Sequence, residues 1–164
     1  MDIDEQQLWL IFEPLLELQR LEYLDYQIIL PLSDQKTARI ACAWPHLKDL
    51  CFNSAVEGSS LESLAYFARH CPDLESLYCP IQVETRVTPS TTIPPTLFPH
   101  ALHTFGANHY REIDALSAPV IALGLYQIFP NLVCVKGIGL GWTLVQNTLD
   151  SFTFLRNQNR QLEK

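Results

Sequence analysis

The apolar positions of the chain fall into a recurring phrase. A bulky apolar residue, usually followed by Pro, is succeeded by one or two residues, Leu, two residues and another apolar residue. The phrase reads Trp44-Pro45-His46-Leu47-Lys48-Asp49-Leu50 and then Cys71-Pro72-Asp73-Leu74-Glu75-Ser76-Leu77. It returns as Phe98-Pro99-His100-Ala101-Leu102-His103-Thr104-Phe105 and as Phe129-Pro130-Asn131-Leu132-Val133-Cys134-Val135. A copy without Pro, Leu18-Gln19-Arg20-Leu21-Glu22-Tyr23-Leu24, comes first. The leading residue advances by 26 (18 to 44), 27 (44 to 71), 27 (71 to 98) and 31 (98 to 129). Self-similarity at such a period marks a solenoid, whose units cannot bury their apolar faces alone. Solenoids are mostly binding surfaces rather than reaction vessels, so this spacing predicts a non-enzyme.

Within each copy the residues after Pro predict a short strand. Leu47, Leu50 and Phe52 point inward, as do Leu74, Leu77 and Cys79, and Leu102, Phe105 and Ala107. A helical pattern precedes each Pro. Ser33-Asp34 predicts a cap for a helix through Ala43, and Ser59-Ser60 a cap for one carrying Leu61, Leu64, Phe67 and Cys71. A third helix runs from Asp114 or Ser117 to Ile128, with Pro119 in its first turn. Pro closes each helix because it pushes the preceding residue out of helical geometry. Aligned on Pro, Ile40, Phe67 and Leu125 form one core column, and Trp44, Cys71 and Phe129 a second.

The stretch from Val83 to Pro99 is rich in Thr and Pro, which predicts an irregular loop on the convex side. The ends read as caps. Leu8, Ile11 or Phe12, Leu15 and Leu18 keep helical spacing across Pro14. A C-terminal cap helix, about residues 142–162, places Val145, Leu149, Phe152 and Leu155 on one stripe, with Asn147, Arg156 and Arg160 turned away. The expectation is one domain over residues 1–164, built of about five degenerate repeats.

Composition changes this picture little. Hydrophobic residues make up 48% and charged residues 18%, which suits a folded chain. The formal net charge of -7 argues against nucleic acid as a partner, because phosphate contacts need a basic face. The start Met1-Asp2-Ile3-Asp4-Glu5 lacks the features of a secretory signal, and the longest apolar run, about Val120 to Phe129, is too short to span a bilayer. Five cysteines without a signal fit reduced thiols. These observations predict a cytoplasmic or nuclear protein with no membrane partner.

The phrase Leu61-Glu62-Ser63-Leu64-Ala65-Tyr66-Phe67-Ala68-Arg69-His70-Cys71-Pro72-Asp73-Leu74 resembles a cysteine-containing leucine-rich repeat. With Ala43-Trp44-Pro45-His46-Leu47, Ile128-Phe129-Pro130-Asn131-Leu132 and a C-terminal helix bearing Trp142, Val145 and Arg156, it is similar to the F-box/leucine-rich-repeat proteins, notably the F-box-like set of mushroom-forming fungi. The likeness runs from about residue 8 to the end and is weakest in the Pro-rich third unit. It implies a curved α/β leucine-rich-repeat solenoid, with parallel strands on the concave side, helices on the convex side and terminal helices as caps. It also implies a repeat region that binds the substrate of an SCF-type ubiquitin ligase, while an F-box recruits the cullin. No F-box is found before Leu8, so the ligase adaptor is expected as a partner only if an F-box is supplied elsewhere.

Chemistry is sparse along the chain. His70, Cys71 and Cys79 form the nearest thing to a reactive cluster, but Cys71 sits in a core column and Cys79 alternates inward with Leu77. Cys42, Cys51, Cys71 and Cys79 lack zinc-type spacing, and His100, His103 and His109 are scattered. Gly137, Gly139 and Gly141 have no phosphate-loop Lys after them and read as a flexible turn. No metal and no cofactor is expected.

The candidate site is instead the face formed by residues between the inward leucines. One row is Tyr23, Asp49, Ser76, Thr104 and Cys134; a second is Asp25, Cys51, Tyr78, Gly106 and Lys136. Tyr23 and Tyr78 are candidate aromatic anchors. Asp25 and Asp49 give one end an acidic cast suited to a basic protein partner. The rival reading is a structural, oligomerising repeat remnant that associates through its acidic first helix or basic last one.

Overall fold

The computed structural model describes residues 5–52, 58–82, 100–107 and 113–162. The order is α1 (Glu5–Phe12), a 3-10 segment (Glu13–Glu17), β1 (Tyr23–Tyr26), α2 (Asp34–Ala43) and β2 (Asp49–Phe52). A second 3-10 turn (Glu62–Leu64), α3 (Ala65–His70), β3 (Ser76–Tyr78), β4 (Thr104–Gly106), α4 (Ser117–Ile128), β5 (Cys134–Lys136) and α5 (Leu140–Leu162) follow. The five strands form one parallel sheet in sequential order, β1-β2-β3-β4-β5. The architecture is therefore mixed α/β, as expected from the repeat. The loop expected over residues 83–99 lies outside the described residues.

The phrase found in the sequence is a local device repeated at each boundary. The residue before each Pro ends its helix in nearly the same conformation: φ -123°, ψ 72° at Trp44; φ -121°, ψ 71° at Cys71; φ -127°, ψ 80° at Phe129. The chain then turns with Pro in its second position, as β-turns favour. The Leu47, Leu74 and Leu132 amides donate to the carbonyls of Trp44, Cys71 and Phe129 at 3.2, 3.1 and 3.0 Å. The first copy keeps the turn without Pro, since Leu21 N–H donates to Leu18 O at 2.9 Å.

Past the turn, one carbonyl couples each unit to the next. Glu22 O accepts from both Lys48 and Asp49 N–H, Lys48 O from Glu75 and Ser76, Glu75 O from His103 and Thr104, and His103 O from Val133 and Cys134. At the end of this series no further strand follows among the described residues, and Val133 O instead accepts from Gln146 Nε2 of α5 at 2.9 Å. The same side chain accepts from Val135 N–H at 2.6 Å. One carboxamide thus stands in for a sixth strand and closes that sheet edge.

One face of the sheet is turned to the core, as the common right-handed crossover of sequential parallel strands leads one to expect. The burial pattern agrees: Leu50, Leu77, Phe105 and Val135 are buried in register, and Leu47, Leu74, Leu102 and Leu132 lie under the turns. Both core columns hold. Ile40, Phe67 and Leu125 are buried, and Trp44, Cys71 and Phe129 are fully so. Trp44 also donates from its indole to Leu15 O at 3.1 Å. At the N-terminal end Phe12, rather than Ile11, enters the core, edge-on to the Tyr26 and Trp44 rings. Leu18, the leader of the first copy, is 50% exposed.

Three helix starts follow their predicted caps with one change. Ser33 Oγ accepts from Lys36 N–H at 3.3 Å, and Asp114 Oδ1 accepts from Ser117 N–H at 2.7 Å. In the second unit Ser60 Oγ accepts from Ser63 N–H at 3.2 Å, and the first turn is 3-10 rather than α-helical. Asp34 of the preceding helix holds Ser60 through its N–H (2.7 Å) and hydroxyl (2.9 Å). The glycine run is not simply a loose turn: Gly139 adopts φ 99°, and Gly141 already lies within α5.

The third unit carries an extra residue between its Pro and Leu102, and His100 is drawn into the backbone there. Leu102 N–H donates to His100 Nδ1 at 3.0 Å, and His100 Nε2 meets Cys71 O at 2.9 Å. An N–H can only donate and a carbonyl only accept, so the imidazole is neutral with its proton on Nε2. Burial holds its pKa below 6.5, against the opposing influence of the Cys71 and Phe67 carbonyls and of Asp73.

Two predictions follow from this packing. Trp44→Ala and Phe129→Ala should each cost about 3–5 kcal/mol in denaturant unfolding, the range for emptying a large aromatic site. For His100, the unfolded chain takes up a proton near pH 6.5 that the folded chain refuses until lower pH. Stability should fall as pH drops below 6.5, and His100→Gln, which can still accept and donate, should show a shallower fall in unfolding measured across that window.

Candidate functional site on the open sheet face

All-parallel sheets are normally covered on both faces, yet here the face opposite the core carries the row residues at half-buried to exposed positions, apart from the buried Gly106. The pairing register sets them side by side: Tyr23, Asp49, Ser76, Thr104 and Cys134 are successive Cα partners, as are Asp25, Cys51, Tyr78, Gly106 and Lys136. Both rows are those expected from the alternation. Side chains one strand apart in register are close enough to interact, which is why each row behaves as a chain of neighbours.

The two ends of the face differ. At the β1 end, Tyr23 is 65% exposed, and Lys48 lies 5.9 Å from its ring centre while also pairing with Glu22 at 2.7 Å. Asp25 accepts from Gln27 and takes a hydrogen bond from the Cys51 thiol. Asp49 accepts from the Ser76 hydroxyl, but burial first, and then the charges of Asp25 and Glu75, raise its pKa above 3.8. Burial, and then the Asp25 and Asp49 carboxylates, push the Cys51 thiol up to about 11. This end is a partly desolvated patch of negative charge.

At the β5 end the face is already occupied. The Tyr78 ring lies flat across Gly106, where a Cβ would come within 2.1 Å of Tyr78 Cδ1. Lys136 lies 5.6 Å from the ring centre and hydrogen-bonds to the hydroxyl, which raises the lysine pKa. Gly106 is therefore required by the close approach of this ring, and Tyr78, half-buried, is as much packing as anchor. Thr104 Oγ1 lies 3.0 Å from His103 Nδ1.

The suspected reactive cluster separates. His70 is exposed at the end of α3, whereas Cys71 is fully buried with its Sγ 3.4 Å from both Ala41 O and Trp44 O. Burial pushes the Cys71 thiol up to about 12 and raises Cys79 further, so neither supplies a thiolate near neutral pH. Among the described residues no three His, Cys, Asp or Glu side chains gather as metal ligands, and His109 lies outside them. No described helix is long and apolar enough to cross a membrane.

Sequence reasoning missed three functional neighbours of this frame: Gln146, His100 and Arg156. It also misplaced two positions on α5. Leu155, expected in the buried stripe, is 58% exposed because the helix outruns the elements it packs on. Arg156, expected to face away, sits 5.8 Å over the Tyr126 ring and donates to Pro130 O. Its long side chain satisfies a carbonyl at the C-terminal end of α4, where cations are favoured.

No family model and no curated protein matches the chain. Among solved structures, a tropomodulin C-terminal domain from Caenorhabditis elegans aligns with 99% of this chain and 84% of its own. The identity is 14% and the TM-score 0.40, a level of similarity that assigns neither fold family nor function.

The charge pattern makes a direct prediction. Asp49 is penalised in the folded state wherever it is ionised, so Asp49→Asn should raise the thermal midpoint at neutral pH. Because the folded pKa lies above the unfolded one, the penalty vanishes once both states are protonated, and the gain should disappear as pH falls below 3.8.

Proposed function

We propose that the chain is a non-catalytic protein–protein interaction module of the leucine-rich-repeat solenoid kind, reading a partner on the concave, open face of its parallel sheet. The observation that carries this reading is the partly exposed face of the parallel sheet opposite the core, with Tyr23 exposed beside an exposed Asp25 and a half-buried Asp49. A fold gains nothing in stability from leaving that charge unneutralised, which is the usual signature of a surface kept for a partner. The partner is a protein segment with basic side chains, since cations relieve the repulsion between the carboxylates. By its resemblance to F-box repeat proteins, the module is the substrate-recognition half of an SCF-type ubiquitin ligase, with the F-box and adaptor supplied by another chain or segment.

Capture from native cell extract, identified by mass spectrometry, tests this. The tagged chain should recover proteins that the double variant Tyr23→Ala, Asp25→Asn does not, with both folded by circular dichroism. Tyr78→Ala is a poor probe, because it also removes the packing on Gly106 and Lys136. Recovery of a cullin and its F-box adaptor supports the ligase role; other partners lost in the face variant support a free-standing module. Identical capture by both proteins refutes the face as the site. A mass that grows with concentration, without other partners, favours the oligomerising remnant.

A further inference from the structure

A second surface lies away from the sheet. Between α4 and α5 is an open cavity of about 350 Å³ bounded by Tyr126, Phe152, Leu155, Arg156, Asn159 and Arg160. Its wall is apolar: the Tyr126 and Phe152 rings stand 5.4 Å apart, and Leu155 is left 58% exposed next to them. Its rim carries donors. Arg156 is tied down over Tyr126 and to Pro130 O, while Arg160, one helical turn on, is exposed. Among the described residues no carboxylate lines the cavity and neither guanidinium forms an ion pair. Two guanidiniums free of carboxylates beside an apolar wall are conspicuous in a chain of net charge -7. The role of Arg156 at the end of α4 accounts for Arg156 but leaves Arg160 and the bare Leu155 without a use.

We propose that this groove docks an acidic segment of a partner protein. An apolar or aromatic side chain of that segment packs against Tyr126, Phe152 and Leu155, and its carboxylates meet Arg160 and the accessible edge of Arg156. The planar guanidinium matches a carboxylate in charge and geometry, and an aromatic pocket with arginine beside it is the usual composition of an interface anchor. The overall negative charge of the chain does not forbid this, since charges beyond about 8 Å are screened at physiological salt. The site is independent of the open sheet face.

The test is fluorescence anisotropy on the full chain with a labelled peptide alternating glutamate with phenylalanine and leucine. Comparison peptides carry lysine for glutamate, or serine for the apolar residues. The acidic apolar peptide should bind more tightly than either, and more weakly as salt rises. Arg160→Glu, at an exposed position and checked for an unchanged thermal midpoint, should weaken it about tenfold or more, the loss of one charge-assisted contact. Tyr23→Ala should leave it unchanged, which separates this groove from the sheet face. Equal binding of the lysine peptide, or an affinity untouched by Arg160→Glu, overturns the proposal. So does a concentration-dependent mass abolished by Arg160→Glu, which would assign the groove to a second copy.

Discussion

One backbone carbonyl per unit governs this molecule. Glu22, Lys48, Glu75 and His103 each present the carbonyl just before a strand, and each accepts two N–H groups from the unit that follows. That shared acceptor locks the starts of adjacent strands together, and the register then follows: Leu24, Leu50, Leu77, Phe105 and Val135 align on one face, their neighbours on the other. A slip of one residue would turn every inward side chain outward. The Pro turns aim the chain at this point, and the helices cover what the register buries. The series needs an end, because the final carbonyl at Val133 and the N–H of Val135 have no strand to meet among the described residues. Gln146 supplies one acceptor and one donor from a single side chain, and α5 thereby becomes part of the sheet's hydrogen bonding as well as its cover.

The same arrangement produces the candidate binding face. Because one face of the five-stranded parallel sheet is turned to the core, the residues of the other face are held in rows by the register. The rows are not uniform. Lys136, Tyr78 and Gly106 satisfy one another at the β5 end, leaving the exposed ring of Tyr23 and the crowded carboxylates at the β1 end. Partial burial makes that charge costly: Asp49 and Cys51 both resist ionisation. The groove at α4–α5 has the opposite chemistry, so the protein offers an acidic surface and a basic one on different layers.

Much of this was legible along the chain because it depends on short-range spacing. The strand rows, including Tyr23, Asp25, Asp49, Cys51, Ser76, Tyr78, Thr104 and Lys136, follow from alternation counted from each Pro-Leu phrase. The two buried columns follow from helical spacing counted back from it. Less legible were positions whose neighbours come from elsewhere. Ile11 and Phe12 are adjacent and equally apolar, and only the direction in which α1 meets Trp44 and Tyr26 decides that Phe12 goes in. Leu155 continues a good apolar stripe on α5, but the stripe runs past the end of α4 and finds nothing to pack on.

By itself, then, the amino-acid order determined the repeat, the places where helices stop, the direction each strand side chain points and the acidic character of the first strand. Those properties are set within one turn or one strand, where Pro geometry and the two periodicities act. The tertiary structure decided the rest: that His100 takes the Leu102 amide and meets the Cys71 carbonyl, that Gln146 bonds the edge of the last described strand, and that Arg156 folds inward over Tyr126 to build a groove. These three are polar side chains whose partners lie 2, 11 and 13, and 26 or more residues away. Only the assembled layers determine which donors and acceptors remain unpaired, and so which side chains are drawn in to meet them.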